Sequence, residues 1–251
     1  MVRLKVRNPY TDPPPDLTVD VLAIAAHPDD IEQTCGGALL KMAEMGYRTG
    51  AVDLTAGDMG SRGNAETRLR ESEAAGEVLR LRYRSNLRLP DARIENTISA
   101  RMTLAGEIRL LRPRVVILPY WQARHPDHYR TCELGFEASF LAGLKKLDES
   151  SEPHRPCTVV YSSLYANVPP SFVVDISGQF ERRMAALFCY ESQYGAGDPS
   201  QLFPSREEIR ERLAAIARFY GQLIGVRYGE PFVVKETLRV DDIAALGVRT
   251  F

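Results

Sequence analysis

Residues 19–30 read VDVLAIAAHPDD, an apolar and β-branched run that ends abruptly in a histidine and two aspartates. A continuous run of this kind is typical of a strand that is buried on both faces of a parallel sheet. Residues 31–46 follow with helical spacing of their apolar side chains, and Gly46 is expected to cap the end of the helix. The stretch therefore predicts a strand and then a helix, with polar side chains at the carboxyl end of the strand.

The same strand-then-helix pattern continues along the chain. Further strands are predicted over residues 50–55, 85–89, 115–120, 158–165 and 172–176, and helices over residues 65–81, 97–111, 127–147, 177–192 and 205–223. This alternation predicts an α/β fold with a doubly wound, mostly parallel sheet of the Rossmann-like kind and helices on both faces. We expect a proline-rich extension over residues 1–18 and a single domain over residues 19–251.

Charge and hydropathy exclude several classes of partner. The 251 residues include 32 basic and 33 acidic side chains, which gives a net charge of −1 and no basic excess for nucleic acid. The apolar runs are too short to cross a bilayer, and the first 20 residues lack the apolar core of a signal peptide. Four scattered cysteines without a C-x-x-C pair are typical of reduced thiols. We therefore expect a cytoplasmic protein that binds neither nucleic acid nor membrane.

A second polar cluster follows the strand predicted over residues 115–120. It reads RHPDH over residues 124–128, and the two clusters together hold three of the four histidines of the chain. In doubly wound sheets, ligands bind beyond the carboxyl ends of the strands, where loops lead into helices. Both clusters are predicted at such ends, so we expect them to meet at one edge of the sheet.

The side chains of the two clusters form a set suited to a metal ion. His27 and Asp30 come from the first cluster and His128 from the second, which gives two imidazoles and one carboxylate. Catalytic zinc sites use three protein ligands and leave a position for water, whose pKa the metal lowers to roughly 7. We expect one Zn²⁺ per chain, although the same ligands accept Fe(II) and other divalent ions.

The remaining polar side chains have roles in hydrolysis. Asp29 is free to accept a proton from water, and His125 is placed to stabilise an oxyanion or to protonate a leaving amine. Asp127 is expected to orient one of the histidines from behind. Two simpler interpretations are an N-cap at Asp30 and a solvated, charged loop over residues 124–128. The joint occurrence of both clusters favours the metal site over these.

The two clusters resemble the signatures of a known family. Residues 26–37, AHPDDIEQTCGG, and the HPDH of residues 125–128 are similar to the paired motifs of the PIG-L/LmbE-like deacetylases. The resemblance covers about residues 19–232. It implies a zinc-dependent hydrolase that removes an acetyl group from an N-acetylated amino sugar, and a homo-oligomer, because relatives commonly assemble. It also implies zinc ligands at His27, Asp30 and His128, a general base at Asp29 and an oxyanion contact at His125.

A finer resemblance concerns one branch of that family. Residues 53–63, DLTAGDMGSRG, followed by ETR at residues 66–68, are similar to the bacillithiol-pathway enzymes that deacetylate N-acetylglucosaminyl-malate, with Asp58 in place of their glutamate. The match implies that Arg68 binds substrate, and the alternative is a surface pair of Arg68 with Glu71. Chitooligosaccharides, mycothiol-type precursors and glycolipid precursors are the other N-acetylglucosaminides that the family resemblance allows.

One position departs from the family pattern. Some relatives place a tyrosine two residues before the HPDH motif, where this chain has Ala123. Tyr194 and Tyr228 are alternative sources of a phenol, and we leave both out of the predicted catalytic set, because an aromatic side chain more often belongs to the core.

Two rival functions have weaker support. A nucleotidyl transferase would carry its histidines after the first strand and would show a glycine-rich phosphate loop before a helix. A non-catalytic sugar-binding protein would keep the fold but has no use for the extra carboxylate of Asp29. The sequence therefore favours a hydrolase.

Overall fold

The computed structural model describes residues 17–148, 150–163, 167–195, 204–245 and 247–248. Its strands are β1 Val21–Ala25, β2 Thr49–Thr55, β3 Tyr83–Leu89, β4 Val115–Pro119, β5 Thr158–Ser162, β6 Phe172–Asp175 and β7 Gly229–Val233. Its helices are α1 Asp30–Thr34, α2 Gly36–Glu44, α3 Ala65–Val78, α4 Ile98–Leu111, α5 Pro126–Ala142, α6 Phe180–Leu187, α7 Glu191–Tyr194 and α8 Arg206–Leu223, followed by a 3₁₀ turn at Ile243–Ala245. Most of the predicted extension, residues 1–16, lies outside the described residues.

The strands form one sheet in the order β3-β2-β1-β4-β5-β7-β6. The first five strands are mutually parallel, and β7 runs antiparallel to both β5 and β6. The predicted doubly wound, mostly parallel α/β fold is therefore confirmed. The strand order reverses direction between β1 and β4, and this is the position at which ligands bind in open sheets of this kind.

The continuous apolar run of β1 is explained by helical layers on both faces of the sheet. Leu22 and Ile24 pack in a core layer with α4 and α5. Ala23 and Ala25 point the opposite way and pack in a layer that includes side chains of α1, α2, α3 and α6. Because successive strand residues alternate between faces, a strand covered on both sides needs apolar side chains at every position.

The single helix predicted over residues 31–46 is wrong, because the chain breaks at Cys35 into α1 and α2. The buried carboxylate of Glu230, on β7, accepts hydrogen bonds from the backbone N–H of Gly37 at 2.9 Å and of Ala38 at 2.6 Å. An N–H group in a continuous helix would bond to the carbonyl four residues earlier. Glu230 takes the place of those carbonyls at the start of α2.

The last carbonyls of α1 have no helical partner, and they accept hydrogen bonds from a buried arginine. Arg183, on α6, donates from Nε to the carbonyl of Glu32 at 2.9 Å and from Nη2 to the carbonyl of Gln33. Its Nε also lies 3.2 Å from Glu230 Oε1. The buried pair of Arg183 and Glu230 therefore binds the unpaired carbonyls at the end of α1 and the unpaired N–H groups at the start of α2.

The helical period over residues 127–147 predicts Leu134, Phe136 and Phe140 on the inner face of α5, and this is only partly correct. Leu134 is buried, but Phe136 and Phe140 are 44% and 54% exposed. The buried stripe runs instead through Leu134, Ala138 and Ala142, at a spacing of four residues. Small residues on this stripe let α5 approach the sheet closely.

Across the described ranges, no helix has both the length and the apolar character needed to cross a bilayer.

We expect Gly37→Ala to lower the free energy of unfolding by about 1–3 kcal/mol, because overpacking at a tight site strains its neighbours. An added Cβ would lie 2.8 Å from Glu230 Oε1 and 2.9 Å from Ile176 Cγ2. The measurement is urea unfolding followed by circular dichroism.

Gly106→Ala is the matched control, because Gly106 lies in α4 and an added Cβ there meets no atom within 4 Å. It should raise the free energy of unfolding by about 0.5–1 kcal/mol. Equal stability of the Gly37→Ala protein and the unmodified protein would contradict the tight contact with Glu230.

Candidate active site

The carboxyl ends of β1 and β4 lie side by side and bring the two histidine clusters together. His27 follows β1, His125 is the N-cap of α5, and His128 lies in the first turn of that helix. The imidazole centroids of His27 and His125 are 4.8 Å apart, and His128 lies 5.4 Å and 5.2 Å from them. The meeting of the two clusters that the sequence predicts is observed.

Asp30 lies between two of these histidines. Its Oδ2 is 3.4 Å from His27 Nδ1, and its Oδ1 is 3.2 Å from His128 Nε2. Burial acts to raise the pKa of Asp30, but the neighbouring His128 and His27 hold it well below its ordinary value. The carboxylate is therefore ionised, with one imidazole nitrogen facing each oxygen.

The other nitrogen of His27 faces two further carboxylates. His27 Nε2 lies 3.1 Å from Asp91 Oδ1 and 3.3 Å from Asp127 Oδ2. Burial acts to lower the pKa of His27, but hydrogen bonds to Asp127, Asp30 and Asp91 outweigh it and raise the pKa to about 12. The surroundings of this imidazole therefore stabilise a positive charge.

Backbone hydrogen bonds fix Asp91 and Asp127 behind His27. Asp91 accepts from the N–H of Met59 at 2.7 Å and of Ala92 at 2.9 Å. Asp127 accepts from the N–H of Ala92 at 2.8 Å and of Ile94 at 3.2 Å. Both side chains are buried. Carboxylates held in this way orient an imidazole and leave its opposite nitrogen for a ligand.

Two groups of side chains have the spacing of metal ligands. The ligand atoms of His27, His125 and His128 all lie within 4.8 Å of one another, as do those of His27, Asp91 and Asp127. Asp91, Asp127 and His125 Nδ1 already accept backbone hydrogen bonds, and Asp30 Oδ2 accepts one from the N–H of His27 at 2.9 Å. Two imidazoles and a carboxylate are donors that fit a divalent cation. The assignment of His27, Asp30 and His128 as its ligands stays a prediction.

Asp29 is held beside this set in an unusual backbone conformation. Its φ of 96° lies in the left-handed region, which is uncommon for non-glycine residues, although aspartate and asparagine adopt it more often than most. Its Oδ1 lies 3.0 Å from Arg68 Nη2, and its Oδ2 accepts a hydrogen bond from the hydroxyl of Tyr194. Burial raises the pKa of Asp29 to about 7, against the opposing effect of the Arg68 charge. A carboxyl with this pKa suits proton transfer near neutral pH.

Arg68 is buried beneath Asp29. Its Nη1 donates to the carbonyl of Gly57 at 3.1 Å, and its Nη2 donates to the carbonyl of Pro28 and to Asp29. The alternative of a surface pair with Glu71 is wrong, because Arg68 is buried and its guanidinium donates to Gly57, Pro28 and Asp29, while Glu71 accepts hydrogen bonds from Ser192. The contact of Arg68 with substrate stays a prediction.

His125 is held in one tautomer by the start of α5. Its Nδ1 accepts a hydrogen bond from the backbone N–H of Asp127 at 3.2 Å. Burial and the charges of His27 and His128 lower its pKa. The imidazole is therefore neutral, with its proton on Nε2, and it offers a hydrogen-bond donor to an oxygen that gains negative charge.

The predicted set of site residues left out two side chains, Asp91 and Tyr194. Asp91 follows β3 at the same edge of the sheet, and that position after a strand is the signal that could have found it. Tyr194 has no local signal, because its contact with Asp29 spans 165 residues of sequence. Tyr228 is buried in the core, where its ring stacks on Phe180 at 4.0 Å. The fourth histidine, His154, lies outside the site, with its Nε2 2.7 Å from the carbonyl of Pro113.

Comparisons with known proteins identify the family to which this fold belongs. The model of the PIG-L family, described as GlcNAc-PI de-N-acetylase, matches residues 22–139. The diacetylchitobiose deacetylase of Thermococcus kodakarensis is 30% identical over 241 residues, which cover 90% of this chain and 85% of that protein. The chain therefore belongs to the PIG-L family of deacetylases.

Two solved structures share the whole architecture. A conserved protein from Thermus thermophilus is 37% identical, with a TM-score of 0.81 over 89% of this chain and 98% of that one. The N,N'-diacetylchitobiose deacetylase of Pyrococcus horikoshii, solved with an inhibitor, is 28% identical, with a TM-score of 0.75 over 86% and 83% of the two chains. These likenesses cover more of the chain than the residues that the family model matches.

We expect Asp91→Asn to weaken Zn²⁺ binding about 10- to 100-fold, because the amide no longer supplies the charge that orients His27. The measurement is calorimetric titration of metal-free protein with Zn²⁺. Asp241→Asn is the control, because Asp241 is exposed and pairs with Arg239. Equal zinc affinity in the two variants would show that Asp91 does not support the ligand.

Proposed function

We propose that this protein hydrolyses the N-acetyl group of an N-acetylglucosamine conjugate in a metal-dependent reaction. The observation that carries the proposal is the placement of Asp29. Arg68 and Tyr194 hold its carboxylate beside a set of two imidazoles and one carboxylate. A buried carboxylate in contact with Arg68 and Tyr194, next to a cation-favouring set, is an arrangement suited to the activation of water for amide hydrolysis.

The residues that would hold the cation are His27, Asp30 and His128, with one Zn²⁺ per chain as the proposed ion. When bound, the ion supplies Lewis-acid chemistry that polarises the amide carbonyl and acidifies water. Asp91 and Asp127 hold His27 in the orientation that turns Nδ1 towards Asp30.

The other side chains divide the proton transfers and the charge stabilisation between them. Asp29 accepts a proton from the attacking water and passes it to the nitrogen of the leaving amine. His125 donates from Nε2 to the carbonyl oxygen as that atom gains negative charge. The oxygen of water forms a bond to the carbonyl carbon, the C–N bond breaks, and the products are acetate and a free amino sugar.

Two N-acetylglucosamine conjugates are candidate substrates. The resemblance of residues 53–63 and 66–68 to one branch supports N-acetylglucosaminyl-malate, the reaction of bacillithiol biosynthesis, and this is our proposal. The names of two relatives favour N,N'-diacetylchitobiose as the second candidate. Arg68 stays the proposed contact with substrate, and such a contact would have to replace one of the hydrogen bonds that its guanidinium donates to Gly57, Pro28 and Asp29.

We expect the purified protein with Zn²⁺ to release acetate from N-acetylglucosaminyl-malate faster than from N,N'-diacetylchitobiose or free N-acetylglucosamine. A chelator should abolish the release, and added Zn²⁺ should restore it, because the proposed ligands hold the ion reversibly. The measurement is acetate formation over time at several substrate concentrations. A higher kcat/KM on diacetylchitobiose would favour that compound as the substrate. If none of the three compounds yields acetate, the proposed deacetylase activity is rejected.

We expect Asp29→Asn to keep zinc content unchanged and to lower kcat about 10²- to 10⁴-fold, because the amide cannot accept the proton of water. Asparagine tolerates the left-handed backbone of this position nearly as well as aspartate does. The measurement pairs elemental analysis of zinc with the acetate assay, and Asp241→Asn again serves as the control. Full activity of Asp29→Asn would show that Asp29 is not the general base.

A further inference from the structure

The hydroxyl of Tyr194 and the guanidinium of Arg68 contact different oxygens of the proposed base, Asp29. Tyr194 donates to Asp29 Oδ2, while Arg68 Nη2 lies 3.0 Å from Asp29 Oδ1. Torsion about the last bond of an aspartate is soft, so a carboxylate held by one contact can still rotate. Two contacts, one on each oxygen, fix the plane of the carboxylate.

The position of Tyr194 is set by contacts that its short helix makes with α3 and with the loop before it. Ser192 donates from its backbone N–H and from its hydroxyl to the carboxylate of Glu71, at 2.6 Å each. Gln193 donates to the carbonyl of Arg62 at 2.8 Å, and Arg62 donates to the carbonyl of Gln193 at 3.1 Å. A four-residue helix cannot maintain itself in water, so these contacts hold α7 in place.

A further contact fixes the carboxyl end of α7. Arg206, at the start of α8, donates from Nε to the carbonyl of Tyr194 at 2.7 Å. Glu71 lies on α3 three residues after Arg68, so the helix that carries Arg68 also anchors the segment that carries Tyr194. The two groups that contact Asp29 are thereby held in one rigid unit.

We propose that Tyr194 is a positioning residue for Asp29 and that it acts on the reaction through that carboxylate. The inference rests on the proposed function, in which Asp29 is the base. A misplacement of about 1 Å in a reacting group costs on the order of 10²-fold in rate, so a fixed carboxylate plane matters for proton transfer. Tyr194 supplies a phenol at this site, although the position two residues before HPDH is Ala123.

The test is Tyr194→Phe, which removes the hydroxyl and keeps the ring. We expect kcat to fall about 10- to 100-fold, with KM within about twofold and zinc content unchanged, because the ligands and the pocket stay in place. Tyr47→Phe is the matched control, since Tyr47 is exposed in the turn before β2, and its kcat should not change. Unchanged kcat in Tyr194→Phe overturns the proposal. So does a loss of activity that zinc loss or unfolding accounts for.

A double-mutant cycle separates positioning of Asp29 from any other role. In an Asp29→Asn background, Tyr194→Phe should lower the residual rate no further, because the carboxylate on which it acts is gone. Additive losses would overturn the inference.

A crystal structure of metal-free Tyr194→Phe gives a readout that does not depend on activity. We expect the Asp29 carboxylate to rotate away from its orientation against Arg68, and an unchanged carboxylate would refute the inference. An unmodified protein without deacetylase activity would refute the proposed function instead and would leave the crystal structure to decide on Tyr194.

Discussion

β1 and β4 run side by side in the same direction, with Val21 opposite Val115 and Ala23 opposite Ile117. The site depends on this pairing, because it brings the loop after each strand to the same edge of the sheet. The core layers on both faces fix the register of β1. A slip of one residue would move every side chain of the strand to the opposite face and would turn His27 away from His128.

Buried charged side chains then hold α1, the helix that begins at Asp30. Glu32, on α1, and Asp53, on β2, both bind the guanidinium of Arg84, and all three side chains are buried. Arg183 and Glu230 hold the other end of α1 through its released carbonyls and the start of α2. Removing one partner of such a pair costs about 3–5 kcal/mol, because it leaves a buried charge uncompensated. The position of α1 therefore depends on these ion pairs, because so short a helix has little stability of its own.

The sequence predicts the parts of this structure that follow from local pattern. The apolar run of β1 indicates burial on both faces, and the strand ends place His27, Asp30 and His128 at one edge. The contact of Tyr194 with Asp29 and the helix break at Cys35 were not predicted, because each depends on a partner far along the chain. Glu230, for example, binds an N–H group 193 residues away. Short-range periodicity carries no information about such pairs.

The left-handed backbone of Asp29 restricts how this position can change over evolutionary time. Glycine, asparagine and aspartate adopt that conformation readily, whereas a β-branched or bulky residue is strained there. Of these three residues, aspartate alone carries a carboxylate. A lineage released from selection for hydrolysis would therefore drift at this position towards asparagine or glycine, with its ligand set and fold intact. The residue found there thus distinguishes an enzyme from a sugar-binding descendant of the same architecture.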